Sequence, residues 1–395
     1  MNTLENLSFN QERALIRVDF NVPLDDNGNV TDATRIAASL PTIKHILAAG
    51  GSCVLMSHLG RPKGSDPKLS LSQIAPTLEK HLGQPVQFCD EVVGQKAEAL
   101  ASALQPGEVL LLENLRFHEE ETKGDQAFSE ALAKLGTVYV NDAFGTAHRA
   151  HASTTVVAQH FAEKKCFGHL LAGEIKAIDK VMSTGEKPVL AVLGGAKVSS
   201  KITIIENILP KVDHLIIGGG MAFTFIKAQG GAIGKSICEH DKMPLALSIL
   251  EQAEKLGVKI HLPVDVRAGQ EFSNDTPQQV FPINEIPDDW EGMDAGPASE
   301  KYFDAVVKQS KTILWNGPLG VFEFSNFCKG TRALGDSIET QTAVGAFSLV
   351  GGGDSVAAVK LFGLEDKVSY VSTGGGAMLE SLEGKTLPGI AAILS

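Results

Sequence analysis

The chain has 395 residues, 43% of them hydrophobic, and carries 47 acidic against 35 basic side chains for a formal net charge of −12. That length suits two ordinary domains better than one continuous core. The acidic balance excludes broad nucleic-acid or anionic-membrane binding, which needs a basic face; a small anion could be held only at a local cluster of cations. The five cysteines (53, 89, 166, 238 and 328) are far apart and form no C-x-x-C, so no zinc or redox motif arises. The first residues, "MNTLENLSFNQER", lack a signal pattern, and no apolar run approaches the ~18 residues of a membrane span. A reducing, cytoplasmic setting is expected.

In chain order, one unit recurs: a short Val/Ile/Leu-rich run, a glycine or polar cluster, then an amphipathic stretch. The first half has "RALIRVDF", "GSCVLMSHLG", "GEVLLLENLRF" and "GTVYVNDAFG". The second has "PVLAVLGG", "DHLIIGGG", "VKIHLPVDV", "KTILWNGPLG", "TAVGAFSLVGGG" and "KVSYVSTGGG". Helical patterns such as "DQAFSEALAKLG" and "MPLALSILEQAEKLG" lie between them. Strands alternating with helices predict an α/β protein of two doubly wound, Rossmann-like domains with mainly parallel sheets. "HLLAGEIKAIDKVMSTGEKP" reads as the connecting helix. Ligands in such folds bind beyond the C-terminal strand ends.

Those ends differ between the halves. Early strands are followed by Asp19 and Asn21, by His58 and Arg61, by Arg116 and His118, and by His148, Arg149 and His151. Arg35 sits in "TDATRIAA", where Thr31 or Asp32 can cap a helix. Six of the eight arginines fall within residues 1–150. One alone is more often a surface residue; several at equivalent strand ends predict a site for a small multiply charged anion. "DDNGNVTD" fails as a calcium loop because Val30 stands where glycine is required, and Asn27-Gly28 fits a hairpin turn instead.

Later strands are followed by glycine. In "LGGAKVSSKI", Lys197 and Lys201 are four apart at an expected helix start, where two ammonium groups repel and oppose the helix dipole. Something very negative is expected between them. "GGAIGKS" misses the P-loop spacing by one, so Lys235 and Ser236 read as loop residues. "WNGPLGVFE" offers apolar walls for a base and Glu323 for ribose hydroxyls. In "LVGGGDSVAAVKLFG" the glycines Gly352 and Gly353 let backbone approach phosphate, and Asp354 and Ser355 open a helix. Asp354 is the candidate Mg²⁺ ligand. "STGGGAMLESLEG" repeats the layout without a carboxylate in its glycine run.

Taken together, "RVDFNVPL", "TDATRI", "SHLGRPKG", "LENLRFH", "VNDAFGTAHRAHAS", "LGGAKVSSKI", "WNGPLGVFE", "GGGDS" and "STGGGA" resemble, in order, the motifs of the phosphoglycerate kinase family. The resemblance spans nearly the whole chain. It implies a 3-phosphoglycerate domain over residues 1–168, a Mg-nucleotide domain over 169–374 with a linker helix at 169–185, and a segment 375–395 packing back on the first domain. An open cleft between the domains is implied, closing on the substrates.

By resemblance, 3-phosphoglycerate or 1,3-bisphosphoglycerate falls to Asp19, Asn21, Arg35, His58, Arg61, Arg116 and Arg149. ATP or ADP falls to Lys197, Lys201, Glu323, Gly352, Gly353, Asp354 and Ser355, with Mg²⁺ on Asp354. Arg35, Lys197 and the amides of Gly374, Gly375 and Gly376 would surround the phosphoryl in flight. A monomer is expected, with no nucleic-acid or membrane partner. Ser200, Leu319 and Met378 depart from the commoner Asp, Met and Ser of the family and leave the charged set intact. Two rivals are a transferase for another acyl phosphate and a nucleotide-binding module without turnover.

Overall fold

The computed structural model describes residues 1–395, which divide into two compact units: Met1–Lys176 with Thr386–Ser395, and Ala177–Lys385. The division falls inside the helix His169–Asp179. No helix is long and apolar enough to cross a membrane.

In the first unit, β1 (Arg13–Arg17), β2 (Ser52–Met56), β3 (Gln87–Phe88), β4 (Val109–Leu111), β5 (Val138–Asn141) and β6 (Lys165–Phe167) form one parallel sheet, ordered β3-β4-β2-β1-β5-β6. The central strands are buried along almost their whole length, as expected for a sheet covered on both faces. From β1 the chain winds first toward β2 and later resumes on the other side at β5, so the strand order reverses between β1 and β5. Arg17 pairs with both Met56 and Asn141. Those three strands therefore end level, and the residues after them emerge side by side.

The second unit contains β7 (Val189–Leu193), β8 (His214–Ile217), β9 (Ala232–Ile233), β10 (Lys259–His261), β11 (Asp265–Gly269), β12 (Gln278–Pro282), β13 (Glu285–Ile286), β14 (Glu291–Ala295), β15 (Thr312–Asn316), β16 (Phe347–Val350) and β17 (Tyr370–Val371). Its main sheet is ordered β10-β8-β7-β15-β16-β17, again parallel, with the reversal between β7 and β15. Leu193 pairs with Asn316 and Ile217, and Trp315 pairs with Val350. The next residue on all four strands is glycine: Gly194, Gly218, Gly317 and Gly351. Trp315 anchors this row: it is fully buried, and its Nε1–H donates to the Gly317 carbonyl at 2.9 Å.

Two features differ from the sequence expectation. "VKIHLPVDV" is two strands, β10 and β11, because Pro263 has no N–H to continue a ladder, and Ser299 Oγ takes the next two amides, Val264 and Asp265, at 2.9 and 3.0 Å. β11 instead joins the antiparallel sheet β12-β11-β14. The segment returning to the first unit begins at Thr386 rather than 375. The helix Gly376–Leu382 stays with the second unit, where the Leu382 carbonyl accepts from the Asn207 side-chain Nδ2 at 2.5 Å. From the returning segment, Gly389 N–H donates to the Ala147 carbonyl at 2.8 Å, and a Cβ there would sit 3.0 Å from Ala147 Cα.

Candidate active site

The strand ends of the first unit gather cations. Arg61, Arg116 and Arg149 line one cavity of about 680 Å³ together with Lys63, His118 and His151. They arrive from the loops after β2, β4 and β5. None of the three arginines carries an ion pair. Arg116 is fixed by donating from Nη1 to the Gly60 carbonyl at 2.7 Å. Burial, with Arg17, Arg149 and Arg61 nearby, pulls its pKa down to about 10, although Glu121 opposes this. Positive charge is thus in excess there: one carboxylate, Glu119, shares the lining and is paired with Lys123, against three arginines and Lys63, as an anion site requires.

Asp19, Asn21, Arg35 and His58 do not line that cavity; they form a hydrogen-bonded set of their own. Asp32 Oδ1 accepts the Thr34 amide at 2.8 Å at the start of the helix Thr34–Ala48. That helix delivers Arg35, whose Nη1 donates to Asp19 Oδ2 at 2.9 Å and to the Asn21 carbonyl at 3.2 Å. Asn21 Oδ1 accepts the Gly60 amide at 2.8 Å. Asp19 and Asn21 are therefore already engaged in holding Arg35 and the Gly60 turn. His148 follows β5 but lies outside the cavity lining.

Sequence reasoning missed Arg17, hidden inside the apolar run of β1. It is fully buried, donating to Ser153 Oγ at 2.8 Å and to the Val18 carbonyl, with Nη2 3.2 Å from His58 Nδ1. Guanidinium has no acceptor, so His58 Nδ1 accepts and its proton sits on Nε2. The 3.8 Å separation from Asp19 Oδ1 is too long to compete. Burial, then Arg17, Arg116 and Arg35, holds His58 well below the usual histidine range. His151 is pulled down to about 4 by burial and the same arginine field. Ser153 in turn donates to the fully buried Glu121 at 2.6 Å. An isolated arginine among β-strand residues gave no periodic signal; its partners Ser153 and His58, and the Glu121 carboxylate that holds Ser153, come from distant parts of the chain.

In the second unit the glycine row lets backbones converge. A Cβ on Gly194 would stand 2.0 Å from the Pro318 carbonyl oxygen, and one on Gly317, at φ +114°, 2.3 Å from the Gly194 oxygen. Gly194→Ala should therefore destabilise the fold by about 1–3 kcal/mol through overpacking. A urea melt checks this, and an unchanged midpoint would contradict the close approach. Beyond the row opens a cavity of about 420 Å³. Its lining includes Gly195, Ala196, Gly219, Gly220, Phe223, Pro318, Leu319, Val321, Phe322, Glu323 and Asp354. The residues read from "WNGPLGVFE" as an apolar slot with Glu323 beside it do share one cavity. Val266, Phe272, Ile283 and the strand β14 complete the wall; none of these was singled out from sequence.

Lys197 and Lys201 are not one turn apart on an α-helix, as the sequence reading expected. Lys197 is extended, at φ −133° and ψ 131°, and exposed. A 3₁₀ turn, Val198–Ser200, follows, and the α-helix starts only at Ile202. Lys201 is half-buried and donates to Asn316 Oδ1, while Asn316 Nδ2 donates to the Gly351 carbonyl at 2.8 Å. Burial lowers the Lys201 pKa, and the Asp354 carboxylate opposes that shift. Lys201 and Asp354 are thus electrostatic neighbours across the β15 and β16 ends. Gly352, at φ +93°, leads into the helix Gly353–Phe362. Asp354 stands exposed in its first turn, and Ser355 Oγ accepts the Gly317 amide at 2.5 Å.

After β17, Gly374 N–H donates to Ser372 Oγ at 3.1 Å, Gly375 turns at φ +49°, and Gly376 opens the next helix. No group of three or more His, Cys, Asp or Glu side chains suited to a metal ion occurs in the chain. A single exposed carboxylate, Asp354, beside the Gly352 turn at a helix start fits Mg²⁺ when it arrives with a phosphate ligand, since Mg²⁺ keeps several waters and takes few protein ligands.

A family model described as "Phosphoglycerate kinase" matches residues 4–385. The chain is 53% identical to "Phosphoglycerate kinase" of Porphyromonas gingivalis over 415 residues, covering 99% of each. It is 52% identical to the protein of the same description from Moorella thermoacetica, covering 99% of this chain and 98% of the other. Among solved structures, phosphoglycerate kinase from Coxiella burnetii superposes with a TM-score of 0.91 at 40% identity, covering 99% of this chain and 98% of that one. That from Pyrococcus horikoshii OT3 gives 0.83 at 30% identity, covering 100% and 98%.

Proposed function

The chain belongs to the phosphoglycerate kinase family, and from that premise we propose how its two units divide the reaction. The activity is reversible phosphoryl transfer between 1,3-bisphosphoglycerate and ADP, giving 3-phosphoglycerate and ATP. An oxygen of the ADP β-phosphate forms the new P–O bond. The bond from phosphorus to the C1 carboxyl oxygen breaks, and the carboxylate leaves with both electrons. Such transfer needs positioning and charge stabilisation more than a protein nucleophile.

In this reading, Arg61, Arg116 and Arg149 hold the phosphate that stays on the glycerate, because their cavity concentrates cations without ion-pair partners. That observation carries the assignment. Arg35, half-exposed and braced by Asp19 and Asn21, reaches for the group in transfer. His58 stays neutral and offers Nε2–H as a donor. In the second unit the base occupies the apolar cavity and Glu323 meets the ribose. Lys201 and the Gly352–Ser355 turn take the nucleotide phosphates, and Lys197 and the Gly374–Gly376 amides face the moving phosphoryl. Asp354 would hold Mg²⁺, which supplies charge neutralisation to the phosphates when bound. All these residues belong to one chain, so a monomer suffices.

Asp354→Asn should weaken Mg·ADP binding about tenfold, the lower end of what disturbing a metal site costs, with 3-phosphoglycerate binding unchanged. Calorimetry with each ligand decides; equal losses for both would contradict the division of labour.

A further inference from the structure

The turn that follows Lys197 needs a cap. Its first two amides, of Val198 and Ser199, are orphan donors at the start of a helical turn. Lys197 occupies the N-cap position, and an ammonium has no acceptor to offer them. The acceptor comes from another loop. Glu239 Oε2 accepts the Ser199 amide at 3.0 Å, and Oε1 accepts the Ser199 hydroxyl at 2.5 Å. The neighbouring Val198 backbone adds a smaller pull in the same direction on this carboxyl. Burial works against the charged form, yet these hydrogen bonds hold the Glu239 carboxyl below its usual range.

Glu239 is itself anchored. Its amide donates at 3.1 Å to the hydroxyl of Thr224, which is buried in the helix Met221–Ala228. The Met221 amide at the head of that helix donates to the Gly195 carbonyl at 2.9 Å. Two residues before Glu239, Ile237 lines the cavity assigned to the base, packed against Gly220. One carboxylate thus ties the lysine turn to the wall of that cavity.

We propose that Glu239 is a positioning residue for phosphoryl transfer: it caps the Ser199 amide and hydroxyl from outside their own loop, fixing the backbone that aims Lys197 and leaving the Lys197 ammonium uncommitted. This rests on the role given to Lys197 above. Without the carboxylate, the turn amides turn to water or to nucleotide phosphate, and Lys197 loses its fixed origin. The cost falls on turnover and on nucleotide use, and not on the arginine cavity of the other unit.

The test compares Glu239→Ala, Glu239→Gln and Ser199→Ala by steady-state kinetics, melting temperature and amide hydrogen exchange. For Glu239→Ala, kcat should fall about 10- to 100-fold, as for a misplaced catalytic group. The KM for 3-phosphoglycerate should stay within about twofold, and the melting temperature should hold. Glu239→Gln should be intermediate, because its carbonyl oxygen serves one donor while its NH₂ opposes another. Ser199→Ala keeps the backbone bond and should lose least. A kcat within about twofold of wild type in Glu239→Ala overturns the proposal, as does an equal loss toward both substrates accompanied by a lower melting temperature. Exchange at the Ser199 amide should quicken in Glu239→Ala, and unchanged exchange there overturns the cap whatever the kinetics show. Failure of the wild-type chain to turn over 3-phosphoglycerate would count against the assigned activity instead, and the exchange readout would still judge the cap.

Discussion

Arg35→Ala is expected to lower turnover about 10²–10³-fold, roughly 3–4 kcal/mol of lost transition-state stabilisation, while ADP affinity stays within about twofold. Arg35 differs from the cavity arginines in its support. It projects from the first turn of the helix Thr34–Ala48, and only Nη1 is spent, on Asp19 and the Asn21 carbonyl. The rest of the guanidinium fork remains free for an anion. Asp19 would be left buried with one partner fewer, at a cost of about 1–3 kcal/mol in stability. Arg35→Lys separates the effects. It keeps a charge to pair with Asp19 but loses the planar fork, so it should restore stability more than turnover. Turnover of Arg35→Ala within about twofold of wild type would remove the residue from the mechanism.

Lys197→Ala and Lys201→Ala should split kcat from KM. Charge that develops only in the transition state acts on kcat, whereas charge present in the bound nucleotide acts on affinity. Lys197 is exposed and extended, so its removal should cost turnover, about 10²-fold, with little change in stability. Lys201 is half-buried against Asn316, which is itself fully buried. Its removal should raise the KM for ATP and also cost about 1–3 kcal/mol, because the Asn316 oxygen loses its donor. Steady-state kinetics and urea melts on both variants check this. Full kcat in Lys197→Ala, or equal stability losses in the two, would contradict the assignment.

Relief of lysine–lysine repulsion plays no part in this contrast. That expectation assumed a regular helix from Lys197 onward, and the 3₁₀ turn Val198–Ser200 breaks it. The sequence carries no mark of that turn, because its cap is Glu239, far along the chain. Other parts were legible for clear physical reasons. Runs that are apolar throughout announced a doubly covered parallel sheet, and the arginines and glycines that follow them do stand at the strand ends. The turn expected at Asn27-Gly28 was legible from its residue types. Asp25 Oδ1 accepts the amides of Asn27 and Asn29 at 2.8 Å each, and Gly28 turns at φ +82°. The antiparallel sheet β12-β11-β14 was not legible. β12 is mostly exposed and shows no apolar/polar alternation, and Pro263 disguised the start of β11 inside a longer apolar run. Arg17 was not legible either, since a buried charge is justified only by partners brought in by the fold.

The most direct measurement is a crystal structure with both 3-phosphoglycerate and Mg·ADP bound. The glycerate phosphate is expected on Arg61, Arg116 and Arg149, and the nucleotide base in the cavity lined by Leu319 and Glu323. The ADP phosphates are expected against Lys201 and the Gly352–Ser355 turn, with Mg²⁺ on Asp354. Nucleotide in the arginine cavity of the first unit, or glycerate phosphate on residues other than those three arginines, would contradict this assignment.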